Sequence, residues 1–377
     1  MIPRDRVLAA LDKREAYPVA VDVFENGMWP KLEASLSQHF GLATDDHERL
    51  LDALGSCVRW AMPRYVGPSL ETYPGEAEPV YPARRIYRNI WGTWEGLETY
   101  SEILYRPLRY AQSVSDVHAH QWPEPDWFDY ERVGWFWHTP ETAEPVAAWS
   151  ARHNEYGRLI GVWNPVFSRV MDLFGMEAGL VNLAARPDLI DATVGHIGDY
   201  LIEHNRRMAG AAHGLFDIHA HGDDFGGQNG MLLSPDMWRK YFLPLWRKIF
   251  AISHQNGLKA QLHSCGSIRP VIPDLIDAGL DILEVVQITA QDMDPVELKR
   301  EFGRDLTFYG AFDTLHILPY GSPAEVRREA RRLIDIFSKD GGYILATAHF
   351  MFNEVPPENV LALYDEARSY RPGYATG

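Results

Sequence analysis

The residues His263, Ser264, Cys265 and Gly266 place an imidazole and a thiol two positions apart. A thiolate and a neutral imidazole nitrogen are both ligands that zinc favours. The H-x-C spacing lets one loop turn both toward a single ion. The pair alone also fits a packed cysteine beside a solvated histidine, so the reading depends on what the rest of the chain brings to it. Other ionisable groups recur at comparable points: His221, Asp223 and Asp224 ahead of a Gly-rich run ending in Asn229-Gly230, then Glu284, Asp313 and His349.

These residues follow a regular rhythm. Apolar runs at 18–24, 57–62, 158–163, 215–221, 258–262, 281–286, 305–309 and 341–346 read as strands, each followed by a helix-like stretch. Several are continuously apolar, as expected of parallel strands buried on both faces. Ser234-Pro235, Asp294-Pro295-Val296-Glu297 and Ser322-Pro323-Ala324-Glu325 carry helix-start signals, the last a capping box. An eight-fold strand–helix alternation predicts an α/β fold, a (β/α)8 barrel spanning 1–377 as one domain. Residues 63–145 break the rhythm with prolines, aromatics and short alternating runs. They read as a β-hairpin-rich insertion after the second strand, either a lid or pocket wall or a dimer contact. The many Trp residues between 60 and 163 suggest an aromatic-lined cavity or ordinary core packing. No G-x-G-x-x-G follows the first strand, so a dinucleotide site lacks its motif.

In a barrel the strand ends open on one face, where active sites of this architecture sit. That rule gathers His221, Asp223, Asp224, His263, Cys265, Glu284, Asp313 and His349 on one side. His263, Cys265 and His349 would hold zinc with its fourth position open, the mark of a catalytic site. His349 could instead contact substrate without metal. Asp223 and Asp224 suit acid/base work, as does His349, or they orient a ligand histidine or serve the turn. His221, Asn229, Glu284 and Asp313 are candidates for substrate contact, with helix or turn capping the alternative for Asp313.

Composition narrows the function classes. The 377 residues carry a formal charge of −16 with no basic cluster, which argues against nucleic acid. No apolar run is long enough to span a membrane, and the N-terminus lacks the apolar core of a signal peptide. A cytoplasmic location is the expectation. Cys57 and Cys265 are the two cysteines, too few for a disulfide framework.

The segment from Leu262 to Ile268 resembles the H-x-C-G motif of the uroporphyrinogen decarboxylase-like superfamily, in its cobalamin-linked methyltransferase branch. The stretch 216–235 with its Gly-Asp-Asp-Phe-Gly loop, the segment 310–313 and the segments 348–349 and 356–360 are similar to the same family. The similarity runs from about residue 215 to 369 and is faint before 150. It implies a barrel, zinc on His263 and Cys265 with a third ligand after the last strand, and a corrinoid carried by a separate protein. That third ligand is a Cys in thiol methyltransferases of the branch, whereas His349 stands here. Porphyrinogen decarboxylases have a His there but no H-x-C pair, and an arginine-rich segment after the first strand. Residues 24–30 here contain no arginine. The resemblance thus favours a zinc-dependent O-demethylase working as a homodimer on a small methoxylated compound, with the aromatic-rich insertion favouring an aromatic one. A decarboxylase or lyase on a small acid, and a non-catalytic metal-binding protein, are the alternatives.

Overall fold

The computed structural model describes residues 1–68, 86–96, 103–135 and 143–373. Eight parallel strands carry the fold: β1 Ala20–Val21, β2 Val58–Tyr65, β3 Gly157–Gly161, β4 Ile218–Gly222, β5 Lys259–His263, β6 Ile282–Val285, β7 Thr307–Phe312 and β8 Tyr343–Thr347. Hydrogen-bonded neighbours run β1–β8–β7–β6–β5–β4–β3–β2. The two ends of this row meet: Cys57 N–H, one residue ahead of β2, donates to Val21 O at 2.7 Å. The sheet therefore closes into the parallel barrel that the alternation predicts.

The strands β3, β4, β6, β7 and β8 are buried at every position. Their inner residues fill the barrel and their outer residues meet the helices, which explains the continuous apolar runs. Helix starts fall where the capping residues stand. Ser234 accepts from Met237 N–H, Asp294 from Val296 and Glu297 N–H, and Ser322 with Glu325 forms a full capping box.

Register decides which side chains share the lumen. His263 lies opposite Gly222 on one neighbour and Glu284 on the other, so His263, Glu284 and Gln261 face inward together. Leu262 lies opposite His221. With a period of two, His219 and His221 therefore face outward. One glycine is sterically required at the top of β5. Gly266 has φ +78°, and a Cβ there would lie 2.5 Å from the Gly226 backbone. The motif glycine lets the H-x-C loop press against the Gly-rich hairpin after β4, formed by Gly226–Gly227 and Gly230–Met231.

The described part of the insertion contains a three-stranded antiparallel sheet, Ile86–Arg88, Trp94–Gly96 and Ile103–Tyr105. A further strand, Phe128–Trp135, pairs antiparallel with β2. The hairpin expectation holds. Arg88, Trp94, Tyr105, Leu108 and His120 of the insertion line a cavity of about 530 Å³ within it. Trp91 is buried against Tyr200 at 5.2 Å and lies under the Arg169 guanidinium, while Trp122 stacks on His196 at 4.8 Å. Both tryptophans thus pack on the helices Phe167–Phe174 and Pro187–Ala212, on the outside of the barrel. Segments 69–85, 97–102 and 136–142 of the insertion lie outside the described residues. Among the described residues no helix is long and apolar enough to cross a membrane.

Candidate metal centre and cavity

His263 ends β5, and the chain then turns under four hydrogen bonds donated by its backbone N–H groups. Ser264 N–H donates to Glu284 O and Ser267 N–H to Gly227 O, both at 2.8 Å. Cys265 N–H donates to Asp224 Oδ1 at 2.7 Å, and Gly266 N–H to Gln287 Oε1 at 2.8 Å. The H-x-C loop is thus clamped between the segments that follow β4 and β6. Within the clamp the Cys265 Sγ lies 3.5 Å from His263 Nε2, and Asp224 Oδ1 lies 3.7 Å from the same nitrogen. One ligand atom from each of Asp224, His263 and Cys265 falls within 4.8 Å of the others.

The sequence assigned Asp224 to acid/base work and His349 to the metal. The structure brings Asp224 to the His263–Cys265 pair, and His349 lies outside that group of three. Its ring instead stacks between Phe24, at 5.8 Å, and Phe352, at 5.5 Å. Together with Cys265, it lines a cavity of about 250 Å³ whose wall also includes Gln228, Gln287, Asp313 and Phe352. Burial and the neighbouring His263 hold the His349 imidazole down at about 4, so it is neutral near pH 7.

Beneath the three donors sits a layer of buried acids. Glu284 Oε2 accepts from Gln261 Nε2 at 2.5 Å and lies 3.8 Å from His263 Nδ1. Glu25 Oε1 approaches the same nitrogen at 3.9 Å. Burial pushes both carboxyls well up; the nearby Asp224 charge raises Glu25 further, and Glu25 raises Glu284 further. Burial also raises the Cys265 thiol, with Asp224 and Glu25 reinforcing the effect. A coordinated thiol is deprotonated by the ion itself. The donor set fits zinc: a thiolate, an imidazole and a carboxylate converge from two adjacent loops. His263 Nδ1 is buried without a hydrogen-bond partner, while its Nε2 faces the other two donors.

Other sequence candidates are placed elsewhere. Asp223 is fully buried, and its two oxygens accept from Phe167 N–H at 2.9 Å and Ser168 N–H at 2.8 Å, so it caps the helix Phe167–Phe174. His221 is turned to the outside of the barrel, against Trp246, Phe250 and Ser253 of the helix Leu243–Gln255. It is therefore no substrate contact; strand parity removes it. Asn229 is exposed at the hairpin turn, and its neighbour Gln228 reaches the cavity instead. Asp313 does line the cavity, while its carboxylate also holds the N–H groups of Leu315, His316 and Ile317. Sequence reasoning missed Glu25, Gln228 and Gln287. The strand-end rule, applied to β1, points to Glu25.

The uroporphyrinogen decarboxylase (URO-D) family model matches residues 157–370. The chain belongs to this family. Its match covers β3 through β8 and hence all three candidate ligands. A methylated-thiol–coenzyme M methyltransferase of Methanosarcina mazei is 24% identical over 204 residues, 52% of this chain and 50% of that protein. The chain thus spans about half the length of that curated relative. A solved methyltransferase from Methanosarcina mazei superposes with a TM-score of 0.60 at 18% identity, covering 97% of this chain and 98% of that one. That likeness supports the URO-D barrel as the fold.

Proposed function

We propose that this URO-D family chain is a zinc-dependent methyltransferase of O-demethylase type, which passes the methyl group of a small methoxylated compound to a corrinoid protein. The convergence of His263 Nε2, Cys265 Sγ and the Asp224 carboxylate at the edge of a cavity carries this reading. The half-length similarity to a methyl-transferring relative supports it. In this reading Asp224 is the third ligand, a place expected above for His349.

Cys265, His263 and Asp224 would hold the ion. Zinc there supplies Lewis acidity that stabilises the charge growing on the demethylated oxygen. Gln261 and Glu284 fix the floor under the His263 ring, and the ring stack of Phe24, His349 and Phe352 orients one wall. The C–O bond breaks with its electron pair left on oxygen, and the methyl group goes to cobalt(I) of the partner's corrinoid, which supplies the pair for the new bond. The neutral His349 imidazole is a hydrogen-bonding group beside the oxygen left behind. Methyl transfer from methoxylated benzenes to a reduced corrinoid tests the proposal. Wild type is expected to turn over and Cys265→Ala to fall at least a thousandfold; full activity in the variant ends the reading.

A further inference from the structure

We propose that the cavity takes an uncharged or cationic methyl donor and turns away acids of the same shape. This rests on the methyltransferase reading of the same site and adds the charge class of its substrate.

The wall chemistry carries the inference. No Lys or Arg is among the described residues lining the cavity, and its one charged side chain outside the metal ligands is Asp313. Hydrogen bonding comes from the neutral amides and hydroxyls of Gln228, Gln287, Thr289 and Thr314, and the remainder is apolar, including Ile288, Leu315 and Phe352. The backbone N–H groups that could cradle an anion beside Asp313 already donate to Asp313 itself, at 2.8 Å from Leu315 and 3.2 Å from His316. Arginines on nearby elements are engaged elsewhere: Arg169 with Asp172 at 3.0 Å, Arg269 with Glu301 at 2.6 Å. An ion held by one thiolate and one carboxylate has its two positive charges balanced, so its pull on an acid is confined to the open position, where the ether oxygen of the donor would sit. A buried carboxylate, sulfonate or phosphate would then have no partner for its charge, and burial of an unpaired charge is disfavoured. An ammonium would find the Asp313 carboxylate on the cavity wall. The volume, about 250 Å³, is roughly that of eight waters. That suits a single small ring or a short chain.

Three probes of one shape separate the charge classes: 3-methoxybenzyl alcohol, 3-methoxybenzylammonium and 3-methoxybenzoate. Their equilibrium binding to the zinc-loaded wild type is measured by calorimetry, with no methyl transfer required. The benzoate is expected to bind at least tenfold more weakly than the other two. Thr289→Arg, which adds a cation to the wall, is expected to narrow the gap between alcohol and benzoate to less than threefold. Benzoate binding equal to or tighter than the alcohol in wild type overturns the proposal. So does failure of all three to bind, and so does an equal change for alcohol and benzoate in the variant. Absent methyl transfer with the charge ranking intact would count against the proposed function alone.

Discussion

Two groups of buried histidines occupy opposite faces of the same barrel wall. On the inner, C-terminal side stand His263 and His349, with Cys265 and Asp224. On the outer side His219 and His221 meet Ser253, with ring centroids 4.2 Å apart, and His204 lies on the helix Pro187–Ala212 with Nδ1 2.7 Å from Tyr130 Oη. Burial depresses every one of these imidazoles. The pKa direction therefore does not distinguish them. What differs is the company: a thiol and carboxylates inside, hydroxyls and aromatic rings outside. A depressed histidine surrounded by hydroxyls and rings is part of the packing, and the same histidine beside a thiol and an acid can bind a metal.

The contrast breaks most sharply at Asp224. Groups that merely orient a metal ligand contribute 10- to 100-fold to affinity, so loss of a ligand should exceed the upper end of that range. Asp224→Ala is expected to weaken zinc binding by more than about a hundredfold in a competition titration with a chelating dye. An unchanged affinity would remove Asp224 from the ligand set and return His349 to it.

The outer group should show itself in acid stability. The His204 ring is held at about 3, against 6.5 when exposed. A histidine that stays neutral in the fold but gains a proton on unfolding favours unfolding once the pH drops below 6.5, and increasingly so toward its folded value. Asp22 and Asp223, both raised to about 6, act in the opposite sense and are common to both proteins compared. Between pH 7 and 4, His204→Phe should therefore lose roughly 3 kcal/mol less stability than wild type, at 1.36 kcal/mol per pH unit over about 2.5 units. Urea unfolding at the two pH values measures it. Parallel losses in the two proteins would show that His204 carries no such burden.

The smallest effect is expected at His221. Its Nδ1 is buried without a hydrogen-bond partner, and its ring packs near Trp246 and Phe250. His221→Phe keeps the ring and removes the orphaned nitrogen, so stability should change by less than about 1 kcal/mol. Zinc content should not change. A lost ion in that variant would place His221 at the metal after all.

The barrel was legible because its evidence is local and repeated: eight apolar runs and helix caps at Ser234, Asp294 and Ser322. The H-x-C pair was legible because both residues lie on one turn. The place of Asp224 beside that pair was not, since Asp224 and His349 both follow strands, and only the fold shows which of them lies within 4.8 Å of Cys265. The choice of His221 failed on parity, because strand-end collection ignores which face an alternate residue takes. Gln228 in place of Asn229 is the same error, one residue long, across a hairpin turn. The Trp-rich insertion suggested a cavity wall; Trp94 does line a cavity within the insertion, while Trp91 and Trp122 satisfy the apolar outer faces of two helices, a demand that composition cannot separate from ligand binding.

The central claim is that one zinc ion sits on His263, Cys265 and Asp224. Metal content after zinc reconstitution and desalting, wild type beside Cys265→Ala and His221→Phe, tests it most directly. The account predicts about one zinc per chain in wild type and His221→Phe, and almost none in Cys265→Ala. Zinc retained in Cys265→Ala, or absent from all three, would contradict it.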